Sequence, residues 1–215
     1  MKENTMLKRL FDIAGATAGL VATAPIMVGC AAAVGMTMGR PIFFRQTRPG
    51  KGGEPFELVK FRTMRPPREG EHRIGNDEGR ITTVGYILRS TSLDELPTLW
   101  NVLRGELSLV GPRPLLMRYL DRYTPHQARR HEVRPGVTGL AQVSGRNALS
   151  WEEKFDLDVW YVDNRSMWLD VVILAKTVKK VLIRDGISSD DHPTAPEFMG
   201  TRARSPESDL PRRSA

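Results

Sequence analysis

The longest apolar stretch of the chain covers residues 13–38, IAGATAGLVATAPIMVGCAAAVGMTM, twenty-six positions without a charge. An α-helix needs about 20 such residues to cross the hydrocarbon core of a bilayer, so this segment belongs in lipid. A buried soluble helix would carry a polar stripe, and the core of a secretory signal runs about 7 to 15 residues. The segment fits neither. Pro25 stands near its middle, where a missing N–H and a ring clash kink or break a helix. Lys2, Lys8 and Arg9 precede the segment, and Arg40, Arg45, Arg48 and Lys51 follow it, so the positive-inside rule assigns no direction of crossing. Two topologies fit: a helix-break-helix hairpin that enters and leaves through the cytoplasmic leaflet, and a single kinked span.

The pattern then changes. Residues 41–64 hold two apolar, aromatic-containing stretches on either side of Arg48-Pro-Gly-Lys-Gly-Gly53, which predicts a β-hairpin with a glycine-rich turn. The turn lacks the G-x-x-x-x-G-K-[ST] phosphate cradle. Residues 65–80 are polar and rich in Pro, Gly and charge, an exposed loop. Ser150 and Glu153 have capping-box spacing ahead of WEEKFDLDVWYVDN, where Trp151, Phe155, Val159 and Trp160 recur near helical periodicity. A further helix is predicted over 167–183, combining Trp168, Val172, Ile173 and Leu174 with Lys176, Lys179 and Lys180. It suits either the membrane interface or an ordinary protein surface. Together these elements predict an α+β fold, mostly helical with a short β-hairpin. The expected divisions are a membrane helix in 1–40, one domain in 41–200, and a polar, disordered tail in 201–215.

Composition narrows the function. A length of 215 residues fits one ordinary domain, and the lone cysteine, Cys30, excludes an intramolecular disulfide or a thiolate zinc cluster from this chain alone. The formal charge of +7 permits a membrane-tethered basic protein that binds nucleic acid or anionic lipid without catalysis. Against that alternative, the basic residues are dispersed among acidic ones and no nucleic-acid motif is present. His72, His126, His131 and His192 lack metal-ligand spacing, which leaves them structural or solvent-exposed.

One segment carries candidate chemistry. Ser92 and Glu95 have the spacing of a capping box, which predicts a helix start with Asp94 and Glu95 in its first turn. A well-capped helix would explain both acids. Adjacent carboxylates repel, however, and they stand close in sequence to Arg89 and to Gly111-Pro-Arg-Pro114, whose prolines fix the backbone around Arg113. A rigidly held guanidinium suits a phosphate oxygen.

Several segments in order resemble one family. They are Lys8-Arg-Leu-Phe-Asp12, Phe43-Phe-Arg-Gln46, Lys60-Phe-Arg-Thr-Met64, Leu88-Arg-Ser-Thr-Ser-Leu-Asp-Glu-Leu-Pro97, Asn101-Val-Leu103, Ser108-Leu-Val-Gly-Pro-Arg-Pro114 and Arg134-Pro-Gly-Val-Thr-Gly-Leu140. The set is similar to the bacterial sugar transferases called monotopic phosphoglycosyl transferases, over nearly the whole chain and in their minimal catalytic form.

That resemblance implies a monotopic membrane protein at the cytoplasmic face of the bacterial inner membrane, with a re-entrant helix-break-helix at Pro25 and interfacial amphipathic helices. It implies transfer of a sugar 1-phosphate from a UDP-sugar to polyprenyl phosphate with release of UMP, the first membrane step of glycan assembly. Asp94 is the implied nucleophile, through a covalent phosphosugar-aspartate intermediate. Glu95 is the implied Mg²⁺ ligand. Lys60, Arg62, Arg89 and Arg113 are implied to neutralise the substrate phosphates, and Asp158 and Asp170 match acidic positions of the family's C-terminal helices. The family often has Ser-Pro at the membrane break, where this chain has Ala24-Pro25. Residues 185–200 resemble the C-terminal signature of small enzymes that handle N-acetylated, bacillosamine-type sugars, with UDP-GlcNAc, UDP-GalNAc, glucose and galactose donors left open. A hydrolase using the same carboxylate, with water as acceptor, is a further alternative.

Overall fold

The computed structural model of the protein describes residues 5–66, 78–145, 149–183 and 197–200. Helix α1, Thr5–Met38, takes up the whole apolar stretch and continues through Pro25 as one element of 34 residues. A helix of that length is about 51 Å long at 1.5 Å per residue. It is long and apolar enough to cross a membrane, and most of its apolar window is uncovered by protein. One stripe is buried, at Lys8, Asp12, Ala16, Cys30 and Val34.

The predicted hairpin forms from β1, Phe43–Pro49, and β2, Pro55–Phe61, paired antiparallel from Phe43 opposite Phe61 to Pro49 opposite Pro55. A 3-10 turn over Lys51–Gly53 joins them. Helix α2, Thr83–Ser90, follows, and α3, Thr98–Arg104, comes after a second 3-10 turn over Leu93–Glu95. Asn101 of α3 is fully buried and ties α3 to β2. Its amide nitrogen donates to the Glu57 carbonyl at 2.7 Å and its oxygen accepts from the Val59 N–H at 3.1 Å.

Strand β3, Ser108–Val110, lies parallel to β4, Gly136–Thr138. The two approach so closely that a Cβ on Gly136 would overlap the backbone nitrogen of Gly111, so glycine is needed there. Between them lies a short helix α4, Pro125–Ala128, closed by a Thr124/Gln127 capping box. Helices α5, Leu140–Ser144, α6, Trp151–Asn164, and α7, Met167–Ile183, complete the described chain. The Ser150/Glu153 capping box is formed as the spacing predicts.

Among the described residues, three apolar clusters hold this arrangement. The largest joins Ala16 of α1 to Phe56, Leu58, Val102, Leu107 and Ile173. A second joins Cys30 and Val34 of α1 to Phe61 and Leu88. Helix α1 therefore packs on the domain through both its N-terminal and its C-terminal halves. In the third, Phe198 is buried among Tyr119, Phe155, Tyr123 and Trp151. On the far side of α7 from buried Ile173, Trp168, Val171 and Val178 are exposed. That stripe fits an interfacial helix.

Much of the polar loop expected over 65–80, at 67–77, lies outside the described residues, as do most of the sugar-type signature and the tail.

Candidate active site

The site begins with a tight bend. Helix α2 rests on the backbone after β2, where a Cβ on Gly85 would overlap the Thr63 carbonyl. That contact lets Arg89, near the end of α2, donate from Nε to Thr63 Oγ1 at 3.0 Å. The chain then turns through Ser92, which adopts the left-handed conformation at φ 57°, ψ 16°. Such a conformation costs an L-residue about 1 to 2 kcal/mol and is held by its surroundings. It delivers Leu93, Asp94 and Glu95 into the 3-10 turn.

Here the structure corrects the sequence. Ser92 makes no side-chain cap, and no capping box forms with Glu95. The two acids precede α3 instead of opening it, separated from it by Leu96 and Pro97. The Glu95 and Leu96 amides are spent on the Ser92 and Leu93 carbonyls, at 3.2 and 3.3 Å. The charge of the acids is therefore met by side-chain cations and not by a helix terminus.

Those cations come from three elements. Lys60, at the end of β2, places Nζ 2.5 Å from Glu95 Oε1, and Arg113 places Nη2 2.8 Å from the same oxygen. Burial alone would push the Glu95 carboxyl up, but Arg113 and Lys60 outweigh it and hold the group well below the usual carboxylate range. Asp94 behaves oppositely. Burial, and then the Glu95 charge, push it up to about 6, against opposing pulls from Lys60, Arg113 and Arg89. Adjacent acids thus differ in character: one is locked as an anion by two cations, and the other is a desolvated carboxylate without a dedicated partner among the hydrogen bonds described for the site. Desolvated carboxylates are better nucleophiles than hydrated ones.

Arg113 is fixed from behind. Arg130 donates from Nη2 to the Arg113 carbonyl at 2.8 Å and pairs with Asp158 at 2.7 Å, both side chains being almost fully buried. Nothing in the sequence distinguished Arg130 from its many basic neighbours. Arg48 was likewise counted only as a flank of the apolar segment. It lies near Arg113, reaches the Pro114 carbonyl at 3.4 Å, and is lowered to about 10 by burial and then by the Arg113 charge.

Arg62, Asp158 and Asp170, three further residues that the resemblance implied for the site, are paired with other groups in this structure. Arg62 donates to the carbonyls of Met38, Gly39 and Arg40, where it satisfies the C-terminal end of α1. Asp158 is sealed in its pair with Arg130, an arrangement that orients a basic residue behind the site. Asp170, fully buried on α7, lies 2.6 Å from Lys8 Nζ and accepts from Tyr161 at 2.7 Å. Lys8 also pairs with Asp12, whose Oδ1 accepts from Ser108 and from the Leu109 N–H. This buried network pins α1 to β3 and α7. Burial also explains His131, lowered to about 4 and neutral, with Nδ1 3.4 Å from the Gly50 carbonyl.

Metal binding is restricted by the donor set. Among the described residues no three His, Cys, Asp or Glu side chains gather into a cage. Mg²⁺ needs no such cage, since it is commonly held by one or two carboxylates plus substrate phosphates and water. Glu95 could supply one such carboxylate oxygen, its Oε1 being paired with Lys60 and Arg113.

Comparison with known proteins follows this geometry. A family model described as bacterial sugar transferase matches residues 3–184. The chain is similar to an uncharacterized sugar transferase, EpsL, of Bacillus subtilis, 55% identical over 196 residues that cover 91% of this chain and 97% of that protein. It is 42% identical to a UDP-galactose-lipid carrier transferase of Erwinia amylovora, matching 84% of this chain but only 41% of that longer protein. A UDP-glucose:undecaprenyl-phosphate glucose-1-phosphate transferase of Caulobacter vibrioides is 40% identical, with 83% of this chain and 70% of that protein covered.

Proposed function

Because this chain belongs to the bacterial sugar transferase family, we propose that it transfers a sugar 1-phosphate from a UDP-sugar to polyprenyl phosphate and releases UMP. The observation that carries the reading is the single 3-10 turn in which a desolvated Asp94 stands beside a cation-clamped Glu95, within the field of Lys60, Arg89 and Arg113.

In the first step an Asp94 oxygen attacks the phosphorus next to the sugar. The bond from that phosphorus to the UMP oxygen breaks, UMP leaves with the electron pair, and an acyl phosphate remains on Asp94. An oxygen of the lipid phosphate then attacks the same phosphorus and the Asp94 carboxylate leaves. Lys60, Arg89 and Arg113 stabilise the charge spread over the phosphoryl oxygens. Glu95 would hold Mg²⁺, which when bound offsets repulsion between Asp94 and the diphosphate. The related Erwinia and Caulobacter proteins are named for galactose and glucose, which supports a hexose donor. The bacillosamine-type sugar remains a candidate within that screen.

The packing of α1 supports one membrane arrangement. The buried contacts of α1 with the domain, from Lys8, Asp12 and Ala16 at one end to Cys30 and Val34 at the other, span about 39 Å, more than the roughly 30 Å of a hydrocarbon core. A perpendicular crossing would drag Phe61, Leu88 and the Asp12–Ser108 contact through lipid. That favours the reading in which α1 lies along the domain in one leaflet, with both ends on the cytoplasmic side.

The test is a screen of UDP-sugars with polyprenyl phosphate, reading UMP and lipid-linked product, with mass spectrometry of donor-treated protein. A phosphosugar adduct on Asp94 is expected. Product accumulation without that adduct would overturn the nucleophile, and free sugar phosphate would indicate hydrolysis.

A further inference from the structure

Beside the catalytic turn, the C-terminal half of α1 and the outer side of α2 enclose a groove of about 290 Å³. Ile26, Cys30 and Ala33 line it from α1, Val84 and Ile87 line it from α2, and Leu93 also lines it. Leu93 is the residue before Asp94. Arg89, one of the cations acting on Asp94, is borne by the same helix as Val84 and Ile87. The groove is thus lined by apolar side chains and adjoins, through Leu93, the turn that carries Asp94 and its neighbouring cations.

Resting on the reaction proposed above, we propose that this groove holds the first isoprene units of the polyprenyl phosphate acceptor. Only an amphiphile matches both features, with its phosphate among Arg89, Lys60 and Arg113 and its chain against Leu93, Ile87 and Ile26. The volume lies at the lower end of the roughly 300 to 1,000 Å³ of small-ligand pockets, so the groove takes the leading units and leaves the rest in lipid. A lipid tail seated there aims its phosphate at the phosphorus carried by Asp94, which supplies the orientation that makes the second displacement effectively unimolecular. A bulk phospholipid has the same tail chemistry, so the experiment must separate the two.

The two half-reactions do so. A Cβ on Gly29, which also lines the groove, would meet nothing within 4 Å, so Gly29→Leu starts its side chain in open space on the groove. Ile87→Trp adds bulk from α2, at a residue already half exposed. In both variants adduct formation on Asp94 from the UDP-sugar alone should match wild type. Transfer from the adduct to polyprenyl phosphate should fall about tenfold or more in kcat/KM, mainly through KM, the affinity equivalent of about two buried methylene groups.

Wild-type transfer by both variants would overturn the groove assignment and leave the proposed reaction standing. It would also mean that only bulk lipid covers the groove. Loss of the adduct in both variants would overturn it too, because the groove would then serve the catalytic turn and not the acceptor. Absence of any adduct in the wild-type enzyme would instead defeat the underlying reaction.

Discussion

Replacing Asp94 by Asn should abolish UMP release and, at the same time, make the protein more stable. The carboxyl is moved from its ordinary value of 3.8 to about 6, chiefly by burial and then by Glu95. Each tenfold change in proton affinity is worth about 1.4 kcal/mol, and the side chain is partly solvated, so ionised Asp94 costs the folded state about 2 to 3 kcal/mol. The sign follows from linkage. The folded state binds this proton more tightly than the unfolded chain, so the penalty is complete above about pH 6 and is relieved as the pH falls towards 4. At pH 8 the Asn variant should therefore unfold about 5 to 10 °C higher than wild type, at 2 to 4 °C per kcal/mol for a chain of this size. At pH 5 the gap should shrink to roughly half. The measurement is thermal unfolding in detergent, with donor absent and divalent ions chelated, because either would stabilise the wild-type anion. An Asn variant no more stable at pH 8, or a gap equal at both values, would refute the reasoning that the nucleophile is a desolvated carboxylate.

Removing Glu95 by Glu95→Gln deletes a charge that raises Asp94 and frees Lys60 and Arg113 to lower it, so the acid limb of the pH–rate profile should move below pH 6 while turnover and Mg²⁺ dependence both weaken. A profile that stays in place would show that the two acids are not coupled. Asp158→Ala leaves Arg130 buried without its partner. About 3 to 5 kcal/mol of stability should be lost, read as a Tm lower by on the order of 10 °C, and turnover should suffer through the released Arg113 carbonyl. Ser92→Gly relieves the left-handed backbone and should raise stability by about 1 kcal/mol at most, with adduct formation retained. Labelling of Thr5→Cys and Gln46→Cys, each in a Cys30→Ala background, should occur from the same side of sealed vesicles. Labelling from opposite sides would mean that α1 spans.

Local pattern alone determined a good deal. Helix α7 falls on the predicted residues 167–183, α6 opens on its predicted capping box, and the hairpin forms around the predicted glycine turn, because each depends on contacts a few residues apart. The ordered motifs likewise pointed to the family to which the chain belongs. Tertiary structure decided whatever depended on distant partners. Ser92 and Glu95 have capping spacing, yet the packing of Gly85 on Thr63 and the pull of Lys60 and Arg113 on Glu95 favour a 3-10 turn, and that difference of conformation replaces a helix terminus by cations from three elements. The resemblance gave Arg62 and Arg113 the same role, although only Arg113 has flanking prolines. One closes the end of α1 and the other reaches the acids, since a long cation goes to whichever unsatisfied oxygens the fold brings within its reach. The resemblance implied Asp158 and Asp170 as acids that orient basic residues or help deprotonate the acceptor, and only the folded chain shows that they are buried counter-ions, because it places Arg130 and Lys8 against them.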